Sequence, residues 1–161
     1  MSAGAAAPSA GLFNSYKGFG LSFMREGKDR QEYSFTVIAD IYGLPFGTVE
    51  KPGIKGNFSR IYMMDLIPAG FADVRIYAGP GISVGYVHDR GKGNPGFVGA
   101  LSGTAGLHAD FGRNISLQLG FTAEFGLHYR TDERFDIKDL SFYKNGIFES
   151  PYPELTIYFK L

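Results

Sequence analysis

The sequence predicts an all-β fold, namely an antiparallel up-and-down β-barrel that crosses a membrane with eight strands. Three observations support this prediction. Long segments alternate strictly between apolar and polar residues, glycine is abundant at 23 residues, and no apolar run reaches the roughly 18 residues of a membrane-spanning helix. Strands that cross a membrane produce this combination, because their lipid-facing and interior residues alternate one for one.

The longest alternation runs from Ile115 to Tyr129, ISLQLGFTAEFGLHY. Its odd positions are apolar or aromatic, and its even positions carry glycine, hydroxyl, amide and two ionisable side chains. A period of two indicates a strand, and this strand is longer than the about five or six residues of a typical globular strand. A strand that crosses a membrane needs about 9–11 residues, which this segment supplies.

The composition of the polar face indicates which side is inside. It is poor in the Lys and Glu that cover water-facing sheets and rich in small polar residues, which suit the narrow interior of a small barrel. The apolar face is then expected to contact lipid. The expected lipid-facing side chains, from residues 115–129 and the similar segment 74–86, are Leu117, Leu119, Phe121, Phe125, Ile82 and Val84.

Length and composition restrict the domain count and the functional classes. We expect residues 1–161 to form one barrel domain. Basic and acidic residues number 16 each, so no net charge indicates nucleic-acid binding. Cysteine is absent, which excludes disulfides and thiolate metal sites, and the three His residues are far apart in sequence. No metal and no cofactor are therefore predicted.

The N-terminus, MSAGAAAPSAG, has neither the basic region nor the long apolar region of an intact signal peptide. Either a signal peptide has been removed and Met1 is an artificial start, or the protein is not exported. The barrel pattern favours removal. Residues 1–10 are accordingly expected to be disordered or foreign to the protein.

Seven segments have strand character, and they are residues 18–24, 33–41, 58–67, 74–86, 97–111, 115–129 and 154–161. Pro80 cannot donate a ladder hydrogen bond, so a bulge is expected there. Short turns are expected at the periplasmic end and longer loops at the outer end. The turns are 68–70 and 110–114, and the loops are 43–57, 88–96 and 130–150.

An eighth strand is required, because bacterial single-chain barrels have an even number of strands. Placing the short turns in the periplasm requires a strand before residue 18, which only about residues 5–13 can supply. The alternative takes the eighth strand from 135–147 and inverts the barrel. The loop-length rule favours the N-terminal strand.

Aromatic residues occupy positions typical of membrane-interface belts. Phe97 and Phe111 lie 14 residues apart on one face of a strand, and that length spans roughly 35 Å at a tilt near 40°. Tyr33, Tyr86 and Tyr129 also lie at strand ends. The lipid-facing band of such barrels is about 25 Å tall with aromatic residues at both edges, so this spacing favours the membrane prediction.

The polar faces place several ionisable side chains inside the barrel. The expected lumen network comprises Asp40, Asp73, Arg75, Glu124 and His128. Charges in a narrow interior must be paired to offset the cost of desolvation, so we expect ion pairs that fill the lumen. Eight strands leave room only for side chains, and an aqueous channel is not expected.

Several segments resemble the small outer-membrane barrel proteins of Bacteroidetes-type bacteria. They are ADIYGLPFG at 39–47, IYAGPGISVGYVHD at 76–89, LHYR at 127–130, YKNG at 143–146 and YPELTIYF at 152–159. The resemblance spans most of residues 18–161 and implies an eight-stranded barrel without catalytic residues. The C-terminus also resembles the assembly signal of such proteins, although the last aromatic residue, Phe159, lies two residues before the end.

The expected function is therefore a non-enzymatic, structural or docking role in the cell outer membrane. Its expected partners are outer-membrane lipid and another outer-membrane or surface protein. Within the loop 130–150, aromatic residues stand among charged residues, a pattern that suits an interface. The candidate recognition residues are Phe135, Phe142 and Tyr143.

Two other functions remain open. A soluble lipocalin-like barrel would bind a ligand between inward-pointing Leu119, Phe121 and Phe125. A lipid A-modifying enzyme would need a Ser, a His and a carboxylate at hydrogen-bond distance on the lipid-facing surface. The nearest candidates are Ser102, His108, Glu124 and His128. All four are expected to face inward, which argues against catalysis.

Overall fold

The computed structural model describes residues 8–27, 31–41, 44, 47, 52–69, 72–90, 95–112, 114–132 and 137–161. They form nine strands and one short helix. The strands are β1 (Ser9–Ser15), β2 (Gly18–Glu26), β3 (Gln31–Asp40), β4 (Gly53–Ala69), β5 (Ala72–Val87), β6 (Gly96–Phe111), β7 (Ile115–Asp132), β8 (Ile137–Phe142) and β9 (Glu154–Lys160). The helix, α1 (Asn145–Phe148), has four residues, and no helix in the described ranges is long and apolar enough to cross a membrane.

Eight of the strands close into an antiparallel, up-and-down β-barrel. Sequential strands pair from β1 to β7, and β9 fills the remaining place between β7 and β1. This confirms the predicted fold class. The first strand pairs with β2 on one side and with β9 on the other, so the two ends of the chain complete the wall together.

The pairing register shifts by ten residues around the closed barrel. Leu155 of β9 pairs directly with Leu119 of β7. Following the ladder the other way from Leu155 leads instead to Tyr129, through Asn14, Phe19, Ala39, Ile54, Tyr86 and Phe97. With eight strands, a shift of this size corresponds to a strand tilt of about 40°.

This stagger makes one side of the barrel taller than the other. β9 begins at Glu154, which lies opposite Gly120, whereas β7 continues to Asp132. The edge of β7 beyond Gly120 therefore extends past β9. β8 pairs with residues 127–132 of this edge, and it is not one of the eight strands that form the barrel wall. A step remains in the wall opposite residues 121–126 of β7.

The two ends of the barrel differ as predicted. The connections after β1, β3, β5 and β7 share one end, here called the long-loop end. The connections after β2, β4 and β6 share the other, the short-turn end, where Gly112 adopts a left-handed φ of 65°. Pro8 and Leu161 also meet there, because the Leu161 amide donates to the Pro8 carbonyl at 2.9 Å.

The eighth strand is the N-terminal one, which agrees with the favoured prediction, although β1 begins at Ser9 and residues 5–7 lie outside the described ranges. The disorder expected up to residue 10 is wrong for Ser9 and Ala10, which begin β1. The competing segment 135–147 does contain a strand, β8. It lengthens the β7 hairpin instead of closing the barrel.

Two details of the predicted strands are corrected. The loop predicted at 43–57 ends earlier, because residues 53–57 already belong to β4 and pair with residues 36–40. The predicted bulge at Pro80 is absent: Pro80 pairs in register with Gly103, and the register shifts between Asp65 and Ile67 instead. Pro80 is exposed on the outer face, and the β4–β5 ladder is interrupted beside it, between the pairs Ser59–Gly81 and Tyr62–Ala78, because proline offers no amide proton.

Inward-facing glycines let the barrel close tightly, and this gives a test of the fold. A side chain at Gly79 would overlap the Arg60 carbonyl, whereas one at Gly103, on the outer face, would meet no atom within 4 Å. We expect Gly79→Ala to lower the free energy of unfolding by about 1–3 kcal/mol through overpacking. Gly103→Ala should leave it nearly unchanged. Reversible urea unfolding of both variants measures the difference, and equal stabilities would contradict the described packing.

Candidate functional site: a polar lumen closed by an inserted segment

The interior of the barrel is divided into levels. A polar cluster lies towards the long-loop end, an apolar layer lies below it, and a second polar cluster lies at the short-turn end. The apolar layer comprises Met24, Ile61, Met63, Tyr77 and Tyr158. The levels arise because each strand contributes every second residue to the lumen, so residues at one height on neighbouring strands meet.

The upper cluster is built on two buried lysines, each paired with a carboxylate. Lys55 donates to Glu124 at 2.7 Å, joining the long strands β4 and β7 across the lumen. Lys17, in the β1–β2 turn, donates to Glu154 at 2.7 Å and to the Thr122 carbonyl at 3.1 Å. The second lysine thereby satisfies a backbone carbonyl on the edge of β7 that β9 does not reach.

Hydroxyl and amide groups fill the space beside Lys55. Asn57 donates to Ser83 at 2.7 Å and to Ser102 at 2.9 Å. Its side-chain oxygen accepts from Ser59 at 2.6 Å. These small groups fit an interior too narrow for larger polar side chains, and each finds a partner there.

The apolar layer separates the two polar clusters. Tyr77 and Tyr158 are almost fully buried, at 2% and 1% exposure. The Tyr158 hydroxyl lies 2.8 Å from the Ser22 hydroxyl, so the aromatic ring fills the lumen while its polar end remains bonded. Water therefore meets an apolar obstacle between the upper and lower clusters.

The lower cluster centres on Asp110 near the short-turn end. This carboxylate accepts from Arg75 and, at 2.9 Å, from Lys160. It also accepts from the Ser116 hydroxyl at 2.6 Å. Arg75 lies 3.6 Å from Glu32, which extends the network to β3. One carboxylate thus links β5, β6, β7 and β9 where the barrel ends.

Above the upper cluster, the chain between β8 and β9 folds into the mouth of the barrel. We call this segment, Tyr143–Ser150, the lumen plug. Its beginning is held by Asp89, whose carboxylate accepts the amide protons of Lys144 at 3.0 Å and Asn145 at 2.8 Å. The Tyr143 amide donates to the Gly126 carbonyl at 3.0 Å, on the edge of β7 beyond β9. The plug therefore covers the step in the wall.

The side chains of the lumen plug reach into the barrel. Tyr143 is fully buried and packs with Val87 and Val98. Glu149 is also buried, and its carboxylate lies 3.9 Å from Lys55. Neither Glu149 oxygen has a hydrogen-bond partner among the described residues. The plug thus adds a third carboxylate, after Glu124 and the nearby Asp40, to the surroundings of one lysine.

A cavity of about 50 Å³ remains between the upper cluster and the apolar layer. One buried water needs roughly 10–15 Å³ on this measure, so the cavity has room for a few waters only. Its lining includes Lys17, Lys55, Asn57, Gln118, Glu154 and Tyr158. The space is too small for an organic ligand.

The structure places most of the predicted lumen residues inside, with one correction. Arg75 and Glu124 form ion pairs, and Asp40 is buried at 7% exposure. His128 is fully buried, with Nε2 3.1 Å from the Val87 carbonyl. The placement predicted for Asp73 is wrong: its side chain is exposed, because it lies next to the β4–β5 turn, where the strand extends beyond the packed interior.

The predicted lipid-facing residues all point away from the lumen. Leu119, Phe121 and Phe125 are 45%, 49% and 66% exposed, and Ile82 and Val84 are exposed as well. Leu117, on the same face, is partly exposed.

The predicted recognition residues are only partly at the surface. The prediction for Tyr143 is wrong, because the lumen plug carries it into the barrel. Phe142 is half-buried, and its ring packs edge-on against Phe125 at 4.7 Å. Phe135 lies outside the described residues.

Sequence reasoning missed several residues of the site. The missed residues are Lys17, Glu32, Lys55, Asp110, Glu149 and Glu154. Lys55 was detectable, since Lys55, Asn57 and Ser59 continue the inward period of β4 into the segment assigned to a loop. No periodic signal marks Lys17 or Glu149, because a turn and a folded-back segment position them.

The candidates that the sequence offered for catalysis, Ser102, His108, Glu124 and His128, do not converge on one another. Ser116 and His108 do approach Asp110, but inside the lumen and not on the lipid-facing surface. Ser102 bonds to Asn57, whereas His128 lies four residues from Glu124 along β7 and contacts the Val87 carbonyl. His108 is in the lower cluster, 3.6 Å from Asp110. The described side chains also contain no group of three or more His, Asp or Glu placed to hold a metal ion.

We expect docking of the lumen plug to weaken as pH rises. Burial raises the pKa of Glu149 from 4.5 to about 8; Lys55 opposes this shift, while Asp40 and Glu124 add to it. A carboxyl whose pKa is higher in the docked state binds a proton that the undocked state releases. The stabilising contribution is therefore complete below about pH 4.5 and is lost as the pH rises towards 8.

Hydrogen exchange of two amides measures this effect. The Tyr143 amide is bonded to Gly126 and the Glu149 amide to Asn145, so both report on the docked plug. After correction for intrinsic rates, exchange should be faster at pH 8 than at pH 5.5, roughly 10- to 100-fold. Glu149→Gln should remove this pH dependence. A variant that keeps the wild-type pH profile would show that Glu149 is not the group responsible.

Comparisons with known proteins support the architecture without assigning a family. No family model matches the chain, and no curated protein sequence matches it. Among solved structures, the chain is similar to the N-terminal β-barrel domain of OprF from Pseudomonas aeruginosa, with a TM-score of 0.58 and 14% identity over 98% of both chains. At this identity the likeness concerns the fold alone, a closed barrel of eight antiparallel strands.

Proposed function

We propose that this chain is a non-enzymatic, integral outer-membrane β-barrel with a sealed lumen, acting as a structural protein or as a docking partner through its long-loop end. One observation carries the proposal: the barrel is apolar outside and polar inside. Outward-facing Leu, Ile and Phe side chains are exposed on every barrel strand, while ion pairs and hydroxyl groups fill the interior. Lipid, and not water, is the solvent that such a surface suits.

The outer surface also carries aromatic residues at both edges of the apolar band. Tyr86, Phe97 and Tyr129 form a lateral row across β5, β6 and β7 near the long loops, with the Tyr86 and Phe97 rings 5.0 Å apart. Phe111 lies at the other end of β6 beside Ile115 and is 43% exposed. Two aromatic levels bounding one apolar band favour a membrane-spanning wall.

The alternative functions receive less support from the geometry. A soluble lipocalin-like barrel requires Leu119, Phe121 and Phe125 to point into a ligand cavity, whereas all three point outward. A lipid-modifying enzyme requires a catalytic group on the outer face, whereas Ser102, Glu124 and His128 are buried in the lumen. The small cavity and the apolar layer likewise favour a sealed barrel over a pore.

Docking is proposed for the long-loop end because apolar side chains remain exposed there. Leu140 of β8 and Ile147 and Phe148 of α1 are 63%, 47% and 52% exposed. Arg90 lies over the Phe148 ring at 4.5 Å, so a charged group borders the apolar surface, as at many protein interfaces. We propose that the partner is another outer-membrane or surface protein. We also propose that this chain is one of the Bacteroidetes-type barrels that its sequence resembles.

Phe121→Arg tests the membrane location. Phe121 lies near the middle of the outward band of β7, and a charge at the bilayer centre costs about 2–4 kcal/mol. The variant should lose folding into phospholipid vesicles, measured as heat-modifiable migration on SDS gels. Leu140→Arg, on β8 beyond the barrel wall, should fold normally. Recovery of wild-type protein, folded and detergent-free, from the soluble fraction would contradict the proposal.

Cysteine labelling on intact cells tests the orientation, and the chain has no native cysteine to interfere. Arg90 lies at the long-loop end and Gly112 at the short-turn end, and both are exposed. A membrane-impermeant thiol reagent should label Arg90→Cys and leave Gly112→Cys unmodified, because long loops face outward in such barrels. Labelling of Gly112→Cys alone would show that the barrel is inserted the other way.

A further inference from the structure

Two arginines stand on the otherwise uncharged outer face of the barrel. Among the described side chains of the eight barrel strands, Arg25 and Arg60 are the charged residues that share the outward period with the exposed apolar groups. Arg25 follows Phe19, Leu21 and Phe23 on β2, and Arg60 follows Phe58 on β4. Their placement needs an explanation, because a charge on a lipid-facing wall is costly unless it reaches polar groups.

The two arginines lie in one lateral row, on either side of a tyrosine. Tyr33 of β3 pairs with Arg25 across one ladder and with Arg60 across the other. Two strand spacings separate the arginine backbones by roughly 10 Å, so both side chains can converge on a group lying over Tyr33. All three side chains are exposed.

The surroundings orient Arg60 without neutralising it. Its Nε donates to Gln31 Oε1 at 3.0 Å, its Nη2 donates to the same oxygen, and the guanidinium lies over the Tyr62 ring at 5.2 Å. Gln31 and Tyr62 carry no negative charge. Neither Arg60 nor Arg25 forms an ion pair with a described carboxylate. Within the described part of the chain, the row therefore carries two positive charges that no carboxylate pairs with.

The row starts at the membrane interface of the short-turn end. Arg25 is one residue from the end of β2, and Tyr33 is two residues from the start of β3. Arg60 is nine residues from the end of β4, so its flexible side chain has to extend towards the short-turn end to reach the same headgroup. Exposed apolar side chains lie beside the row on the same strands, on its long-loop side, and they are Phe23, Phe35 and Phe58. A lipid bound here would place its headgroup on the arginines and its acyl chains along this apolar surface.

We propose that Arg25, Tyr33 and Arg60 form a binding site for the phosphate group of a glycerophospholipid in the leaflet at the short-turn end. This inference rests on the membrane location proposed above. A planar guanidinium matches the oxygens of a phosphate with paired hydrogen bonds, and the tyrosine hydroxyl adds a third donor. The site is part of the lipid-facing wall, so the phosphate belongs to a membrane lipid and not to a soluble ester.

The test measures lipid affinity by native mass spectrometry of the folded barrel released from a nonionic detergent. The probes are a short-chain phosphatidylglycerol, a diacylglycerol of the same chain length and glycerophosphoglycerol, which is the soluble headgroup. The variant Arg25→Gln/Arg60→Gln removes the two charges. The control Arg90→Gln/Arg130→Gln removes two arginines at the long-loop end.

We expect wild-type protein and the control to bind phosphatidylglycerol equally, and the double variant to bind it on the order of tenfold more weakly. Arg60→Lys should fall between them, because an ammonium keeps the charge but loses the paired hydrogen bonds. The diacylglycerol and the soluble headgroup should both bind weakly.

Three results would overturn the lipid site. They are equal affinity of wild-type protein and double variant for phosphatidylglycerol, equal binding of the diacylglycerol, and tighter binding of the soluble headgroup. Heat-modifiable migration after reconstitution, recorded first for every variant, distinguishes these failures from failure of the membrane location. A wild-type chain that does not fold into vesicles overturns both proposals, whereas one that folds without lipid discrimination overturns this one alone.

Discussion

Closure of the backbone ladder is the constraint on which the rest of the structure depends. A wall without free edges needs the first and last strands to pair, and β1 meets β9 with a cumulative stagger of ten residues. That stagger leaves β7 projecting past β9, with backbone groups that no barrel strand reaches. Lys17, β8 and the lumen plug each satisfy part of this edge, at Thr122, at residues 127–132 and at Gly126. The inserted segment is thus a consequence of how the barrel closes.

The narrow interior that closure creates then decides which charges it can hold. Lys17 and Lys55 each have one close carboxylate, and Asp110 satisfies the cations of the lower cluster. A buried ion pair offsets the cost of desolvating its two charges only when its geometry is good. Removing one partner would leave the other charge buried and unpaired. Glu149 is the exception, since Lys55 already bonds Glu124. A further carboxylate on the inserted segment couples docking of that segment to proton binding.

The period-two pattern predicted the barrel and which side chains face its lumen. A strand has only two faces, so when one face lines a polar lumen the apolar face must point outward. Leu119 and Glu124 follow from that rule alone. The rule could not place Tyr143, whose surroundings depend on a segment folding back into the mouth. It also misjudged Asp73, since alternation states the face of a residue and not whether the lumen is packed at that height. The bulge was expected at Pro80, whereas the register slips between Asp65 and Ile67, just before Pro68.

A lumen blocked at three heights leaves the rims and the outer wall as the surfaces on which this protein can meet other molecules. On the outer wall, most outward-facing positions are apolar, so an outward-facing charged residue needs a separate explanation. Packing of the interior cannot supply it, because interior packing involves the opposite face of the strand. Arg25 and Arg60 are such residues, and the ladder brings them to either side of Tyr33 although 35 residues separate them in sequence. Two cations on either side of one tyrosine suit a ligand with two or more acceptor oxygens, and the phosphate of the proposed lipid has them.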